Sequence, residues 1–334
     1  MNVALVHRRF TTQGGTERFL VGLARYLLDE GHMVHVYCNR VDTPEPRIHF
    51  HHLPMLRPAK VLSLWRSAGG VALADHDVVL GLGRHTPHDV YRAGGGAHAA
   101  YLEACRPNWR WNPAARLEVR LDRAAVRSAK AVITPSRRAG EDLVEHYGLP
   151  PDRLRVIHNG VDTERFQPRA WRREGRPRLV FLGTGFARKG LAEAVEVATR
   201  LGATLDVIGT DVRLESWRRN RPGVHFHGAV EAVEELLPQF DAMLLPTRYE
   251  PYGNACLEAM ACGVPPVTTS VNGASEVFPD GRLVADDIEG LAESVRHVLD
   301  SGQTLRDRCR DRALDLPRDR AYKAVMNVLM DARR

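Results

Sequence analysis

A chain of 334 residues exceeds one ordinary domain and is long enough for two, each with its own core. Hydrophobic content of 44% against 26% charged residues excludes a chain dominated by disorder. The formal charge of +6 calls for an anionic partner, whether a nucleotide, a phosphorylated glycan, a membrane surface or a nucleic acid, and does not choose among them.

The first apolar run, Val3 to Val6, is cut short by His7-Arg8-Arg9, so no secretory or membrane-spanning segment is expected there and a cytoplasmic protein is. NVALVH, RRFTTQGGT, ERFLVGLARYLLDEGH and MVHVYCN then read as strand, glycine-containing loop, helix and strand, a βαβ unit that implies a parallel sheet. The strand-like DVVLGLG, a helical pattern from Arg116 to Ala129, and the segments AVITPS and RLRVIHNG continue the alternation. Residues 1–167 are therefore expected to form one doubly wound domain. The charged stretch PRAWRREGRP, Pro168 to Pro177, has no apolar period and is the linker candidate. From RLVFLG onward the same grammar repeats, giving a second Rossmann-like domain over 168–316, with a cleft expected between the two. In 317–334, Tyr322, Val325, Met326, Leu329 and Met330 fall at helical spacing, which suits a terminal helix packing back towards the first domain or on the second alone. The 5 cysteines are scattered and odd in number, so neither a disulfide framework nor a zinc site is indicated.

In open α/β sheets, ligands sit beyond the carboxyl ends of strands, where loops meet helix N-termini. Three stretches qualify. The loop TTQGGT places Gly14 and Gly15 where a backbone can approach an anion, although an ordinary tight turn has the same signature. LGTGFARKG, Leu182 to Gly190, puts Gly183 in a strand-to-helix turn and brings Arg188 and Lys189 to a helix start, where side-chain cations add to backbone donors around a phosphate. It is neither a P-loop nor a dinucleotide fingerprint, since no Ser or Thr follows Lys189-Gly190 and Arg188 stands where a third glycine belongs. RYEPYGNACLEAMACGVPP carries Glu250 ahead of a turn and Glu258 inside the following helix, with Tyr252, Gly253, Asn254 and Ala255 at the helix mouth.

The segment from Glu250 to Glu258 resembles the E-x7-E motif of the retaining glycosyltransferases of family 4, which have the GT-B fold. RVIHNGVDTERFQP, Arg155 to Pro168, resembles that family's interdomain signature, and GTGFARKGLAEAVE with GGTERFLVGLARYLLDEGHMVHVY is similar to its lipopolysaccharide core α-glucosyltransferase branch. The resemblance implies two facing Rossmann-like domains and metal-independent transfer of a hexose from a nucleotide sugar with retained configuration. UDP-glucose is the first expectation, ahead of UDP-GlcNAc and GDP-mannose. It implies that Glu250 contacts the donor sugar, that Glu258 binds the ribose hydroxyls, and that Arg188 and Lys189 neutralise the leaving diphosphate. Backbone groups at Tyr252 to Ala255 would complete the clamp. Thr184 departs from the Gly-Arg found in many members, leaving one arginine in this loop. No cofactor is implied beyond the nucleotide co-substrate, and the acceptor is expected to be a glycan or lipid-linked molecule of cell-envelope or lipopolysaccharide synthesis. His98, after the Gly94-Gly95-Gly96 run that follows a predicted strand, is the candidate for contacting donor sugar or acceptor. A structural hydrogen-bonder is an equally good reading of that histidine.

Asp75-His76-Asp77 is a D-x-D of the kind that binds metal in other glycosyltransferases, but it precedes the strand VVLGL and so belongs at the wrong strand end. The alternating His49, His51 and His52, and likewise His225 and His227, read as strand residues. A nucleic-acid binder is disfavoured, because arginines are not interleaved with stacking aromatics. A non-catalytic nucleotide-sugar binder is the other rival. Finally, Arg116, Arg120, Arg123, Arg127 and Lys130 make one basic stripe on a helix, with Leu117, Leu121 and Ala124 beside it and Trp109 and Trp111 before it. A solvated helix face would look the same, while the branch resemblance implies a peripheral contact with the inner face of the cytoplasmic membrane.

Overall fold

The computed structural model describes residues 1–55, 60–173, 175–218 and 221–334; Glu174 of the expected linker lies outside the described residues. Met1–His158 with Asp319–Arg334 make one compact unit, and Asn159–Arg318 the other. The division thus falls ahead of the expected 167/168 boundary, and the contacts of the intervening segment say why. Asn159 O accepts the Tyr252 hydroxyl at 2.9 Å, Phe166 is buried in the core of the second unit, and Arg310 Nη1 donates to Phe166 O at 2.8 Å.

In the first unit, β1 (Asn2–Val6), β2 (Met33–Cys38), β3 (His49–His52), β4 (Val78–Gly81), β5 (Val90–Arg92), β6 (Ala131–Thr134) and β7 (Leu154–Val156) form a seven-stranded sheet in the order β3-β2-β1-β4-β5-β6-β7. Every pairing is parallel, with Leu5 opposite both Val36 and Leu80. Such a sheet is covered on both faces, so its central strands must be apolar throughout. Val3 to Val6 and Val78 to Leu80 meet that demand, each wholly buried. In the second unit, β8 (Arg178–Leu182), β9 (Thr204–Ile208), β10 (Val224–Gly228), β11 (Ala242–Leu245) and β12 (Pro266–Thr268) form a five-stranded parallel sheet ordered β10-β9-β8-β11-β12. Strand order reverses between β1 and β4 in one unit and between β8 and β11 in the other, and these reversals are where such sheets open a crevice for ligands.

Helix α1 (Gly15–Asp29) buries Phe19, Leu20, Leu23, Ala24 and Leu27, a stripe at helical spacing. Further along are α2 (His98–Cys105), α3 (Pro113–Ser128), α4 (Leu191–Arg200), α5 (Asn254–Ala261) and the terminal α6 (Arg318–Asp331). α3 begins before Arg116 because Asn112 Oδ1 accepts Ala114 N–H at 2.9 Å and Pro113 occupies the first turn. Val90 to Arg92, just ahead of the Gly94-Gly95-Gly96 run, is itself β5, pinned by its pairing with β6.

Helix α6 joins the core of the first unit through Tyr322, Val325, Met326, Leu329 and Ala332, while Met330, expected in the stripe, is 52% exposed. Tyr322 stacks edge-on against Phe19 at 5.4 Å, and a Cβ on Gly22 would lie 2.0 Å from its hydroxyl oxygen. Gly22→Ala is therefore expected to destabilise the protein by about 1–3 kcal/mol, the usual range for overpacking, despite alanine's better helix propensity. Urea denaturation measures it. Adding Tyr322→Phe should recover part of the loss; a Gly22→Ala protein as stable as the parent would show that the ring swings clear.

Candidate functional site

The loops that follow β8 and β11 meet at the strand-order reversal of the second unit. Gly190 can close the first loop because it adopts φ +77° and because a side chain there would strike Pro246, the built Cβ lying 1.8 Å from its carbonyl oxygen. Arg248 N–H and Thr247 Oγ1–H both donate to Arg188 O, at 2.8 and 3.2 Å, and tie the loops together. On this frame Arg188 Nη1 and Lys189 Nζ converge on one oxygen, Glu250 Oε2, at 3.0 and 2.9 Å. Arg188 Nη1 also donates to Tyr249 O at 2.7 Å. Lys189 is only 7% exposed, its stem laid across Gly183, where an added Cβ would stand 2.6 Å from Lys189 Cε. Burial pushes the Glu250 carboxyl up, but Lys189 and Arg188 together outweigh it and hold the group down at about 2.

The carboxylate expected at the donor sugar is thus ion-paired with the very cations expected at the diphosphate. Two like charges stand side by side because the shared anion cancels their repulsion. The loop's backbone contributes less than its glycines suggest. The N–H groups of Arg188 and Lys189 donate to Gly185 O at 3.1 and 3.2 Å, Gly183 N–H to Ile208 O at 2.9 Å, and Phe186 N–H to Asp211 Oδ2 at 2.8 Å. Those four N–H groups are thus spent within the fold, and Arg188 and Lys189 bring two side-chain cations to the turn.

Helix α5 starts at Asn254, within the expected mouth, with Gly253 at φ +74° as its N-cap. Asn254 Oδ1 accepts Asn159 Nδ2–H at 2.9 Å, and the Tyr252 side chain is buried. α5 buries every residue from Cys256 to Ala261, and Glu258 is 7% exposed among them. An acid in so apolar a helix costs energy unless paired or hydrogen-bonded. Its charge, together with burial as the larger cause, pushes the Cys262 thiol up to about 12.

In the first unit a cavity of about 250 Å3 opens at the reversal between β1 and β4, its wall including His7, Glu17, Arg84, Gly94 and Asp122. Gly14 and Gly15, expected to admit an anion, lie at the N-terminus of α1. The carboxylate of Glu17 already rests on Gly14, whose built Cβ would stand 2.4 Å from Oε2. The helix end thereby carries an anion of its own, and Glu17 Oε1 faces His7 Nε2 at 3.5 Å. His98 opens α2 and is buried; its Nδ1 lies 2.8 Å from Arg84 Nη2 and its Nε2 3.1 Å from Glu118 Oε2. Arg84 Nη1 donates to the same Glu118 oxygen at 2.8 Å. Asp122, almost wholly buried, accepts the hydroxyls of Tyr91 and Tyr147 at 3.1 and 2.8 Å and His98 N–H at 2.9 Å. Asp77 Oδ2 accepts Asn2 N–H at 2.8 Å at the amino ends of β4 and β1, opposite the carboxyl ends where the crevice opens. Among the described residues no group of three or more His, Cys, Asp or Glu is arranged to hold a metal ion.

Residues 13–165 match the glycosyltransferase family 4 domain and residues 176–301 the glycosyl transferases group 1 domain. The chain belongs to glycosyltransferase family 4. This family 4 chain is 32% identical to a glycogen synthase of Mycobacterium tuberculosis over 60% of its own length and 53% of that relative, so it spans about half the length of the mycobacterial relatives it matches. It is 25% identical to the lipopolysaccharide glucosyltransferase WaaG of Escherichia coli K12 over 90% of both chains. The crystal structure of WaaG superposes with a TM-score of 0.82 at 21% identity, covering 98% of this chain and 99% of that one. Anabaena HepE, solved with UDP and glucose, gives 0.72 at 16% identity over 99% of this chain and 100% of that one. The fold is GT-B.

On the surface of this family 4 chain, Arg116, Arg120, Arg123 and Arg127 are exposed along α3, whereas Lys130, expected to continue the stripe, lies past the last helical residue Ser128 and pairs with Asp89 Oδ1 at 3.1 Å. Trp111 is 89% exposed and Leu117 37%, whereas Leu121, expected beside the stripe, is buried. Trp109 is half-buried and lines a cavity of about 360 Å3 with Cys105, Arg106 and Asn112. Arg123 is partly tied down, its Nη2 donating to His146 O at 3.1 Å. His227, read from sequence as a strand residue, lies on β10 and meets Asp206 Oδ1 at 2.7 Å across neighbouring strands. Sequence reading also passed over Arg84, Glu118 and Asp122. Arg84 follows β4 in the loop LGLGRHTPHD, a strand-end position that could have flagged it.

Proposed function

We propose that the chain is a retaining glycosyltransferase that moves a hexose from a nucleotide sugar, UDP-glucose first, to a glycan or lipid-linked acceptor of cell-envelope polysaccharide or lipopolysaccharide synthesis, with no metal or other cofactor. The observation that carries this reading is the convergence of Arg188, Lys189 and Glu250 at the reversal between β8 and β11 in a family 4 chain. Similarity to WaaG over 90% of both chains supports the lipopolysaccharide-type acceptor, and the likeness to HepE, solved with UDP and glucose, supports a UDP-sugar. In this reading the paired cations bind the diphosphate of the donor, and their hold strengthens as charge builds on the leaving group. Glu250 keeps both aimed in advance and offers its carboxylate to the sugar. Glu258 accepts from the ribose hydroxyls.

A hydrolysis and binding screen across UDP-glucose, UDP-GlcNAc and GDP-mannose tests the function. Turnover of UDP-glucose supports it, and turnover of another donor reassigns the sugar. Binding without hydrolysis or transfer would make the chain a nucleotide-sugar sensor, and no binding at all would end the proposal. Glu258→Ala is expected to weaken UDP binding by about 1.5–3 kcal/mol for each ribose hydrogen bond lost, read by calorimetry. Unchanged affinity would remove Glu258 from the site.

The exposed stripe of α3, with Trp111 and Leu117, supports peripheral attachment to an anionic bilayer, where each cation contributes about 1 kcal/mol. Among the described residues no helix is long and apolar enough to cross a membrane. Neutralising Arg116, Arg120, Arg123 and Arg127 together should abolish co-sedimentation with phosphatidylglycerol vesicles while leaving the far-UV spectrum unchanged. Equal vesicle binding at physiological salt would reduce the stripe to a wet surface.

A further inference from the structure

The cavity of the first unit has one wall group held in a fixed attitude. Arg84 is gripped by Glu118 through Nη1 and by His98 through Nη2, both at 2.8 Å, and its Nε stands 3.6 Å from Asp122 Oδ1. A guanidinium has five N–H donors, and these contacts leave one more on each terminal nitrogen. His98 is placed differently. Since a guanidinium can only donate, His98 Nδ1 must accept, which assigns the ring proton to Nε2 and makes Nε2 the donor to Glu118. Both ring nitrogens are committed, so the imidazole cannot take a substrate proton without releasing Arg84. Arg84 and Asp122 line the cavity and His98 does not.

We propose that Arg84 is the group through which the first unit holds its sugar substrate, and that His98 is a positioning residue that aims the guanidinium from behind. Because Arg84 only donates, the ligand presents oxygen acceptors, either hydroxyl and ring oxygens of a neutral sugar or a phosphate carried on one. The word sugar rests on the glycosyltransferase reading; the division of labour between Arg84 and His98 rests on the geometry.

The test titrates methyl α-glucoside and glucose 6-phosphate, a neutral and an anionic probe, into the full chain by ligand-observed NMR. One of the two should bind, and which one distinguishes hydroxyl from phosphate recognition. Arg84→Ala should weaken it roughly tenfold or more, the loss of hydrogen bonds from a charged donor. Arg84→Lys should not restore it, since a single ammonium does not reproduce the planar fork held between Glu118 and His98. His98→Gln, whose amide supplies an acceptor for Arg84 and a donor for Glu118, should stay within roughly threefold of the parent, whereas His98→Ala should approach Arg84→Ala. Far-UV spectra check that each variant is folded, and Arg84→Lys keeps the test open should Arg84→Ala fail to fold. No binding of either probe to the parent, unchanged binding by Arg84→Ala, or equal loss in His98→Gln and His98→Ala would overturn the proposal. UDP-glucose hydrolysis by the parent, measured alongside, reports on the second unit. Its absence would count against the glycosyltransferase reading and leave the Arg84 result to stand by itself.

Discussion

Lys189→Ala is expected to lower kcat by roughly two to three orders of magnitude while changing donor KM much less, the signature of losing a preorganised charge that acts as the leaving group gains its own. Arg188→Ala should move the same way. The buried ammonium and the guanidinium share Glu250 Oε2 at 2.9 and 3.0 Å, so either variant leaves that carboxylate one cation in place of two. Glu250→Gln separates the roles. If the carboxylate competes with the diphosphate for the same pair, UDP alone should bind this variant at least as well as the parent, even though transfer falls. Steady-state kinetics with the preferred donor and calorimetry with UDP read these outcomes. Wild-type kcat in both cation variants would remove the pair from the reaction.

The stability of the protein should fall steeply as pH drops from about 6.5 to 4, ahead of ordinary acid denaturation. His85 is wholly buried, with Nε2 3.2 Å from Val6 O and Nδ1 without a hydrogen-bond partner among the described residues. Burial first, then the neighbouring His88 and His7, hold it down at about 3. His88, also buried, has Nε2 2.8 Å from Ala125 O; burial lowers it to about 4 against the pull of that carbonyl and of Asp89. Both rings stay neutral in the folded state while the unfolded chain binds protons below about 6.5, so the linkage removes stability as pH falls through that window and none above it. Each histidine contributes up to about 1.4 kcal/mol per pH unit, a large fraction of the roughly 5–15 kcal/mol that holds a folded protein together. His35, lowered to about 4 by burial and by His76, His49 and His51, adds to the same slope. Glu250 acts lower down: its depressed carboxyl contributes stability above about 4.5 that is lost as pH falls towards 2. Urea denaturation at a series of pH values should therefore show a steep limb between 6.5 and 4.5 that His85→Gln with His88→Gln flattens by about 2 kcal/mol per unit. An unchanged limb in the double variant would place the acid-sensitive groups elsewhere.

Much of the fold could be read from the chain, for a physical reason. Parallel strands covered on both faces are continuous apolar runs, and Val3 to Val6, Leu179 to Phe181 and Ala242 to Leu245 stand out as such. The loops at strand ends could be picked out by their glycines and cations. How they combine could not, because Arg188 and Glu250 are 62 positions apart and meet only through the order of strands in the sheet. Asp122 was hidden for another reason. It lies among the arginines of α3, where one acid in a basic run looks like a solvated counter-charge, and only the turn of the helix sends it to the buried side with Val119, Ala125 and Val126. The expected boundary rested on the charged stretch PRAWRREGRP, whereas the compact units divide earlier, between His158 and Asn159, where the chain changes partners.

The first unit is built from two stretches of chain, Met1–His158 and Asp319–Arg334, and the second from one, Asn159–Arg318. A ribosome delivers the first unit's opening stretch before its closing one, so that unit is the one that must wait, holding Phe19, Gly22 and Tyr26 ready for Tyr322 until residues 319–334 emerge. The second unit has all its parts in hand sooner. Completion therefore runs against the direction of synthesis, and for that interval the apolar face of α1 is the surface a chaperone would find.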